Sequence, residues 1–278
     1  MTVFVTKFDG STEPFDRRKI IRTCIRMGAT GEIAETIAKK IEEKIYDKIE
    51  SRKILQIIFK SMRQYRPICR HIIDLRKSLS LLRSKPDFEI YIQILLKEHG
   101  YDVTPNQIIS GKCGEHEVDA LAKKDGNTTI VEIKHHFDYH TPTGLDEVRI
   151  ARAVYEDVTE GFESGSNDLK INHVMIVCNT KLSKHAERYA KCRKIGHKGW
   201  SHPSNYDLQT MIEEKKLYPV TIIRGLRSQA KESLTSNDIV MIKQLLEMNP
   251  EELRIKTRIS KKDSIFVINK AKTILECN

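Results

Sequence analysis

The chain has 278 residues, of which 39% are hydrophobic and 31% are charged, and its formal net charge is +10. This length predicts about two domains, and the scarcity of Gly and Pro (13 and 8 residues) argues against long flexible linkers and low-complexity tails. Its apolar runs fall far short of the roughly 20 residues that cross a bilayer, and no signal peptide is recognisable, so we expect a cytoplasmic protein with no membrane partner.

The positive charge is concentrated at one end of the chain. Residues 1–85 contain 20 Lys and Arg against 10 Asp and Glu, whereas the remaining residues are balanced. A field of this sign attracts polyanions such as nucleic acids or nucleotide phosphates. Lysines on solvated helices would give the same count without any ligand, so this alternative stays open.

A hairpin pattern opens the chain, because residues 3–6 and 11–15 have the composition of strands around a turn at Asp9 and Gly10. Asp16 is the expected N-cap of a first helix. We expect four helices in all, at about residues 17–27, around the isoleucines at 33, 37, 41 and 45, from Ser51 onward and from Pro67 onward. The segment is therefore predicted to be a small hairpin followed by a helical bundle.

The sequence Val-Thr-Lys-Phe-Asp-Gly at residues 5–10, followed by Pro-Phe-Asp at 14–16 and Lys-Ile at 19–20, resembles the ATP-cone, the nucleotide-sensing module of ribonucleotide reductases. The likeness covers residues 3 to about 80, including the tail Leu-Arg-Lys at 75–77. The resemblance implies a purine nucleotide, ATP or dATP, as regulatory ligand. It assigns nucleotide contacts to five residues, with the phosphates at Lys7, Lys19 and Lys77 and the base at Phe15 and Ile20.

Independently of this resemblance, a lysine beside a helix N-terminus forms a natural phosphate site, because the unpaired N–H groups and the helix dipole favour an anion there. The alternative is a basic helical module that only docks on DNA.

Residues 86–228 change character and alternate between strands and helices. Pro86 breaks the preceding helix, and Gly100 ends the next one, which is predicted over residues 88–99. Strands are predicted at residues 101–109, 118–122, 128–134, 171–178 and 218–223, and helices at 147–158 and 183–195. This order predicts an α/β domain with a mixed, partly parallel sheet.

The chemistry of this segment is expected at Asp119, Glu132 and Lys134. Asp119 lies in an otherwise apolar strand, and Glu132 and Lys134 are two residues apart, so they share one face of the next strand. Buried carboxylates cost several kcal/mol unless they are paired or hold a cation, and oxygen ligands favour Mg²⁺. A buried Asp–Lys ion pair beside a surface glutamate is the alternative interpretation.

Four segments, Glu89, Gly100-Tyr101, residues 118–120 and residues 131–134, together resemble the PD-(D/E)xK nuclease superfamily and most closely its Mrr-type restriction endonucleases. The likeness spans roughly residues 86–200. It implies a DNA endonuclease that depends on Mg²⁺ or Mn²⁺. The implied metal set is Asp119, Glu132 and Ile133, with Lys134 assisting the water and Glu89 completing the acidic set.

Residues 229–278 are expected to form a small helical domain. Helices are predicted at residues 237–247, from Pro250 onward and at 261–275. The run from Leu245 to Ser260 resembles tandem helix-hairpin-helix modules, although Arg258 to Lys261 lack the hairpin glycine. Contact with DNA backbone or a packing role remain alternatives for this segment.

The sequence thus predicts a multidomain α+β and α/β chain: an ATP-cone over 1–85, a PD-(D/E)xK nuclease over 86–228 and a helical domain over 229–278. The expected activity is hydrolysis of DNA phosphodiester bonds, modulated by ATP or dATP. A homodimer is favoured, because one metal site cuts one strand. Two other functions stay open: a nucleotide-responsive DNA-binding regulator without cleavage, and a nuclease for junctions or RNA.

Overall fold

The computed structural model describes residues 2–8, 10–66, 71–203 and 206–276. The chain divides into two compact units, one made of residues 1–72 with 273–278 and the other of residues 73–272. Within the described residues, every helix is too short or too polar to cross a membrane.

The first unit begins with the predicted hairpin. β1 (Phe4–Thr6) pairs antiparallel with β2 (Thr12–Pro14), and β3 (Ile49–Glu50) adds a parallel partner to β1. Gly10 has φ +78°, a left-handed conformation that glycine adopts without strain. The predicted turn residue Asp9 lies outside the described residues.

Three helices follow the hairpin: α1 (Arg17–Arg26), α2 (Gly31–Glu42) and α3 (Ser51–Tyr65). Asp16 caps α1 as predicted, since its carboxylate accepts a hydrogen bond from Arg18 N. Each helix buries one stripe of apolar residues at helical spacing, including Ile37 and Ile41 in α2 and Ile58 and Met62 in α3. The predicted hairpin and helices of this segment are therefore confirmed.

The predicted start of a fourth helix at Pro67 lies outside the described residues. Ile72 precedes the helix that is observed, α4 (Leu75–Ser80), which belongs to the second unit. Asp74 caps α4 by accepting a hydrogen bond from Lys77 N at 2.8 Å.

A five-stranded mixed sheet forms the centre of the second unit, with the order β4-β5-β6-β7-β8. Its strands are β4 (Asp102–Ser110), β5 (Glu115–Lys124), β6 (Asn127–Lys134), β7 (His173–Cys178) and β8 (Gly196–Lys198). The first three strands are an antiparallel meander, and β7 and β8 continue the sheet in parallel. Asp125 and Gly126 have φ +50° and +75°, the values that a tight hairpin turn requires. The mixed α/β architecture predicted from the sequence is confirmed.

Helices cover both faces of this sheet. After α4, the helices that begin in this unit are α5 (Glu89–Glu98), α6 (Leu145–Ser164), α7 (Lys184–Cys192), α8 (Leu208–Glu214), α9 (Ser228–Thr235), α10 (Pro250–Thr257) and α11 (Lys261–Glu276). Along β6, Val131 and Ile133 lie in the core with α5 and α8, whereas Ile130 lies in the core with α6 and α7. The alternation of β6 therefore directs even-numbered residues toward the α6 face.

Two predicted elements are wrong. Residues 218–223 form a 3₁₀ turn at Val220–Ile222 instead of a strand, and the strand beside β7 is β8. The backbone of this run finds its partners elsewhere: Val220 N donates to Val240 O, and Ile73 N donates to Ile222 O. A short apolar run that is buried on all sides does not reveal its conformation through its periodicity.

The predicted helix over residues 237–247 is also wrong. α9 ends at Thr235, and only Ile242–Glu247 form a 3₁₀ helix. The side chain of Gln244 accepts hydrogen bonds from Val240 N and Met241 N at 2.9 and 2.8 Å, which satisfies these two groups outside a helix. The predicted helices at Pro250 and over residues 261–275 are confirmed as α10 and α11.

Candidate active site

The central feature of the site is a break in the sheet at Asp119. The register sets Asp119 opposite Asn106 of β4, and the β4–β5 ladder skips this pair within the described strands. The β5–β6 ladder ends at the pair of Ala120 with Val131, one position before Asp119 would meet Glu132. Asn106 has φ +45°, which turns its backbone out of the extended conformation. The Asp119 carboxylate accepts a hydrogen bond from Ile133 N at 2.7 Å, and Gln93 Nε2 donates to the Asp119 carbonyl at 3.0 Å. Side chains thus satisfy the backbone groups that the ladders leave unpaired.

Glu132 and Lys134 lie on one face of β6, as their spacing predicted. Lys134 Nζ is 2.9 Å from Glu132 Oε1 and 3.1 Å from Oε2 of Glu147, near the start of α6. Glu147 was missed as a site residue, because only the fold brings the beginning of α6 to the end of β6.

Lys85 holds the other pair of acids. Its ammonium is 3.0 Å from Glu89 Oε1, 3.4 Å from Asp119 Oδ1 and 3.7 Å from Glu117 Oε1. Glu89 and Asp119 are buried, with side chains 7% and 9% exposed, whereas that of Lys85 is 63% exposed. The predicted acids are therefore divided between two lysines, with Glu89 and Asp119 at Lys85 and Glu132 at Lys134.

Burial makes these carboxylates costly to ionise. It raises the pKa of Glu132, and the nearby charge of Asp119 raises that pKa further, while Lys134 lowers it. Burial also raises the pKa of Glu89 against the opposing effect of Lys85. The pKa of Lys85 is raised in turn by its hydrogen bond to Glu89. The ionised forms of these carboxylates are therefore stabilised by cations that lie close to their oxygens.

The donor set of this cluster fits a hard divalent cation. Asp119 and Glu132 offer carboxylate oxygens, and Ile133 can offer only its backbone carbonyl. Mg²⁺ takes oxygen ligands, keeps several waters and is held by as few as one or two carboxylates. Among the described residues, no group of three or more His, Cys, Asp or Glu side chains is placed to hold a metal ion.

Two histidines follow Lys134, and neighbouring groups hold both of them. His135 lies 3.1 Å from Leu79 O through Nε2 and 3.0 Å from Ser84 Oγ through Nδ1. His136 N donates to Asn179 Oδ1, and its ring contacts Thr143 Oγ1 at 3.1 Å. Burial lowers the pKa of both imidazoles. They fix the backbone immediately after Lys134.

In the first unit, Lys7 and Lys19 converge on one carboxylate. Both ammonium groups lie 2.7 Å from an oxygen of Glu13. Burial raises the pKa of Glu13, but the hydrogen bonds from Lys19 and Lys7 outweigh it and lower that pKa. Two lysines that share one carboxylate mark a place where an anion is stabilised.

The remaining predicted nucleotide residues differ in their surroundings. Phe15 is half-buried after β2, and Ile20 is buried in α1 with 6% exposure. Lys77 is exposed on α4 and belongs to the second unit. Ile20 contributes to the core of the first unit.

Three family models match successive parts of the chain. The ATP cone domain matches residues 3–77, the restriction endonuclease domain of the Mrr type matches residues 82–196, and a domain described as AF1548-like, C-terminal, matches residues 218–275. The first two matches confirm the resemblances to the ATP-cone and to the Mrr-type restriction endonucleases.

The relatives have no described activity. An uncharacterized protein of Archaeoglobus fulgidus is 33% identical over 182 residues, which is 65% of this chain and 98% of the relative. A second uncharacterized protein of the same organism is 50% identical over 38 residues, or 14% of this chain and 81% of that protein. The crystal structure of AF1548, a protein of unknown function, superposes with a TM-score of 0.57 and 31% identity over 68% of this chain and 97% of that one.

We predict that Lys85→Met destabilises the protein by about 1–2 kcal/mol at neutral pH. The substitution leaves Glu89 and Asp119 buried without their cation, and the exposure of Lys85 keeps the cost below that of breaking a fully buried pair. The loss should shrink as the pH falls through the pKa of Glu89, because a protonated acid needs no counter-ion. Denaturant titrations between pH 7 and pH 4 measure both effects.

Lys243→Met is the matched control, because Lys243 forms a surface ion pair with Glu98 at 3.6 Å. Its effect should stay within about 0.5 kcal/mol at every pH. Equal stabilities for the two variants would contradict the role of Lys85 as counter-ion.

Proposed function

We propose that this chain, which belongs to the AF1548-like family, is a metal-dependent DNA endonuclease whose activity responds to ATP or dATP. The family matches identify a restriction-endonuclease-like nuclease domain together with an ATP cone domain. The observation that best supports a metal-dependent mechanism is the arrangement of Asp119, Glu132 and the ion-paired Lys134 where the sheet is interrupted.

In this proposal, Asp119 and Glu132 hold Mg²⁺ or Mn²⁺ together with the Ile133 carbonyl. The hydrogen bond from Ile133 N fixes one oxygen of Asp119, and the other oxygen lies 3.4 Å from Lys85 Nζ, which the cation would displace. When bound, the cation would stabilise the negative charge that develops on the phosphate. Glu89 supplies a further carboxylate beside Asp119.

Lys134 is proposed to orient the attacking water. Burial lowers the pKa of Lys134, but its hydrogen bonds to Glu132 and Glu147 outweigh this and raise the pKa above the ordinary value. Lys134 therefore stays an ammonium at neutral pH and acts as a donor rather than as a general base. Two of its three N–H groups are directed at carboxylates, which leaves one for the water or a phosphate oxygen.

The regulatory ligand is proposed to bind at Lys7 and Lys19, with Phe15 against the base. The convergence of two lysines on Glu13 supports this site, because the phosphates would take the place of that carboxylate. A homodimer is proposed as the form that breaks both strands, since one such site hydrolyses one strand at a time.

We predict that Asp119→Asn and Lys134→Ala each lower Mg²⁺-dependent cleavage by about a hundred-fold or more, since each removes a group that stabilises developing charge. The substrates are supercoiled plasmid and short branched duplexes, assayed with Mg²⁺ and with excess chelator. Asp125→Asn and Lys123→Ala are the matched controls, because both residues are exposed at the far end of the same hairpin.

Cleavage that persists in chelator would contradict the metal mechanism. Specific DNA binding without cleavage by the wild type would favour the alternative of a DNA-binding regulator.

We also predict that Lys7→Ala weakens ATP binding about ten-fold or more, because it removes a charge-assisted hydrogen bond worth roughly 1.5–3 kcal/mol. Glu13→Gln should strengthen ATP binding, because it removes the carboxylate that competes for the same lysines. Calorimetry on the full-length protein measures the dissociation constant for ATP in both variants, with Lys39→Ala on the exposed side of α2 as control. The same ATP affinity for the wild type and all three variants would show that the lysine pair is not the nucleotide site.

A further inference from the structure

The loop that follows β6 exposes an aromatic ring beside the candidate active site. Phe137 is 67% exposed, the largest exposure of any aromatic side chain among the described large hydrophobic residues. Single exposed apolar residues are common and need no function. The surroundings of Phe137 distinguish it, because its ring packs against the imidazole of His135 and the residue follows Lys134 by three positions.

The ring rests on a fixed support. It meets the imidazole of His135 edge to face at 5.1 Å, and that imidazole packs on the buried ring of Phe88 at 4.9 Å. His135 is held in turn by contacts to Leu79 O and Ser84 Oγ. An exposed ring on an anchored support loses little conformational freedom when a ligand stacks on it.

The remainder of the loop is also closed by its own hydrogen bonds. The Asp138 carboxylate accepts from His140 N and from Thr141 Oγ1, both at 3.0 Å, and Thr141 N donates to Asp138 O. These bonds lower the pKa of Asp138. Asp138, the one acid of residues 135–141, is therefore hydrogen-bonded within the loop.

Further aromatic rings and a cation accompany Phe137. The Tyr139 ring packs against that of His140 with centroids 4.4 Å apart and planes inclined by 38°. The guanidinium of Arg76, which is half-buried, lies 5.4 Å from the centroid of the Tyr139 ring and 5.9 Å from that of Trp200. Aromatic rings interleaved with basic groups are typical of surfaces on which nucleic-acid bases stack while the cations contact the backbone.

The distance along the chain fits this interpretation. Phe137 is three residues from Lys134, so the two Cα atoms are at most about 10–11 Å apart. Successive bases of a strand are spaced 3.4 Å along the DNA axis. The ring is therefore within reach of a base about three nucleotides or fewer from a phosphate bound at Lys134.

We propose that residues 135–141 form a base-stacking subsite and that Phe137 stacks on an unpaired base next to the scissile phosphate. The substrate class of the nuclease is then DNA with unpaired bases beside the cleavage point, such as forked, flapped or branched DNA. A fully paired duplex offers no free base face to the ring. This inference rests on the proposed nuclease function and specifies its substrate.

The test compares forked and blunt DNA in the full-length protein. Binding is measured in the Asp119→Asn background, which prevents cleavage, with 2-aminopurine placed in turn at each of the first four unpaired positions of the fork. Phe137→Ala should weaken fork binding by about five-fold to a hundred-fold, given the known effect of removing one stacking partner. It should leave blunt-duplex binding within about two-fold. Stacking on Phe137 should quench the 2-aminopurine fluorescence at one or two adjacent positions, and Phe137→Ala should restore that fluorescence.

Two further substitutions separate stacking from simple burial. Phe137→Trp should preserve fork preference, whereas Phe137→Leu should lose it, because leucine keeps apolar area without a ring. Phe162→Ala is the control, since Phe162 is an aromatic residue that is 38% exposed near the far end of α6. It should change neither affinity.

Equal losses on forked and blunt DNA, or no loss on either, would overturn the proposal. Loss of a protein complex in light scattering without any change in fork binding would instead identify Phe137 as a protein contact, which also overturns it. If the wild type still cleaves plasmid in a reaction that depends on Mg²⁺ and Asp119, only the stacking proposal is overturned and the nuclease function remains supported. If the wild type does not cleave plasmid in this way, the nuclease function is contradicted as well.

Discussion

The site depends on one constraint: the sheet cannot pair at Asp119. The β4–β5 ladder resumes beyond this position in the same register, whereas the β5–β6 ladder ends there. The Asp119 carboxylate accepts a hydrogen bond from Ile133 N, and the Gln93 side chain donates to the Asp119 carbonyl, which ties β5 to β6 and to α5. A carboxylate held by a backbone N–H has a defined direction.

The charged side chains of the site are grouped around this position. Acids from α5, β5, β6 and α6 meet near the end of the sheet, and their burial would be costly without nearby cations. Lys85 and Lys134 compensate different members of the set. The two lysines differ in solvent exposure, because 31% of the Lys134 side chain is exposed and 63% of the Lys85 side chain. We infer that Lys134 is a fixed part of the site and that Lys85 is the cation more easily moved.

Local patterns in the sequence predicted the residues that share a hairpin. Strand alternation predicted that Glu132 and Lys134 share one face of β6, as observed. Lys85, Gln93 and Glu147 were missed, because their relation to the site depends on how α5 and α6 pack on the sheet. No spacing in the sequence reveals such contacts.

The same limit explains the errors in the fold. The apolar run at residues 218–223 has the composition of a strand, but its backbone pairs with the segment before the 3₁₀ helix, and the three residues of β8 occupy the sheet edge. A strand as short as β8 carries almost no periodic signal. By contrast, α1 has a clear cap at Asp16 and was predicted within one residue of its ends, and α3 begins at Ser51 as predicted.

The central claim is that the break at Asp119 creates a metal site. Anomalous diffraction from a crystal of the full-length protein soaked in Mn²⁺ tests this claim most directly, because it locates the ion without relying on activity. The account predicts a single strong peak in contact with Asp119 and Glu132, which disappears in Asp119→Asn. A strong peak elsewhere, or one that survives the substitution, would contradict it.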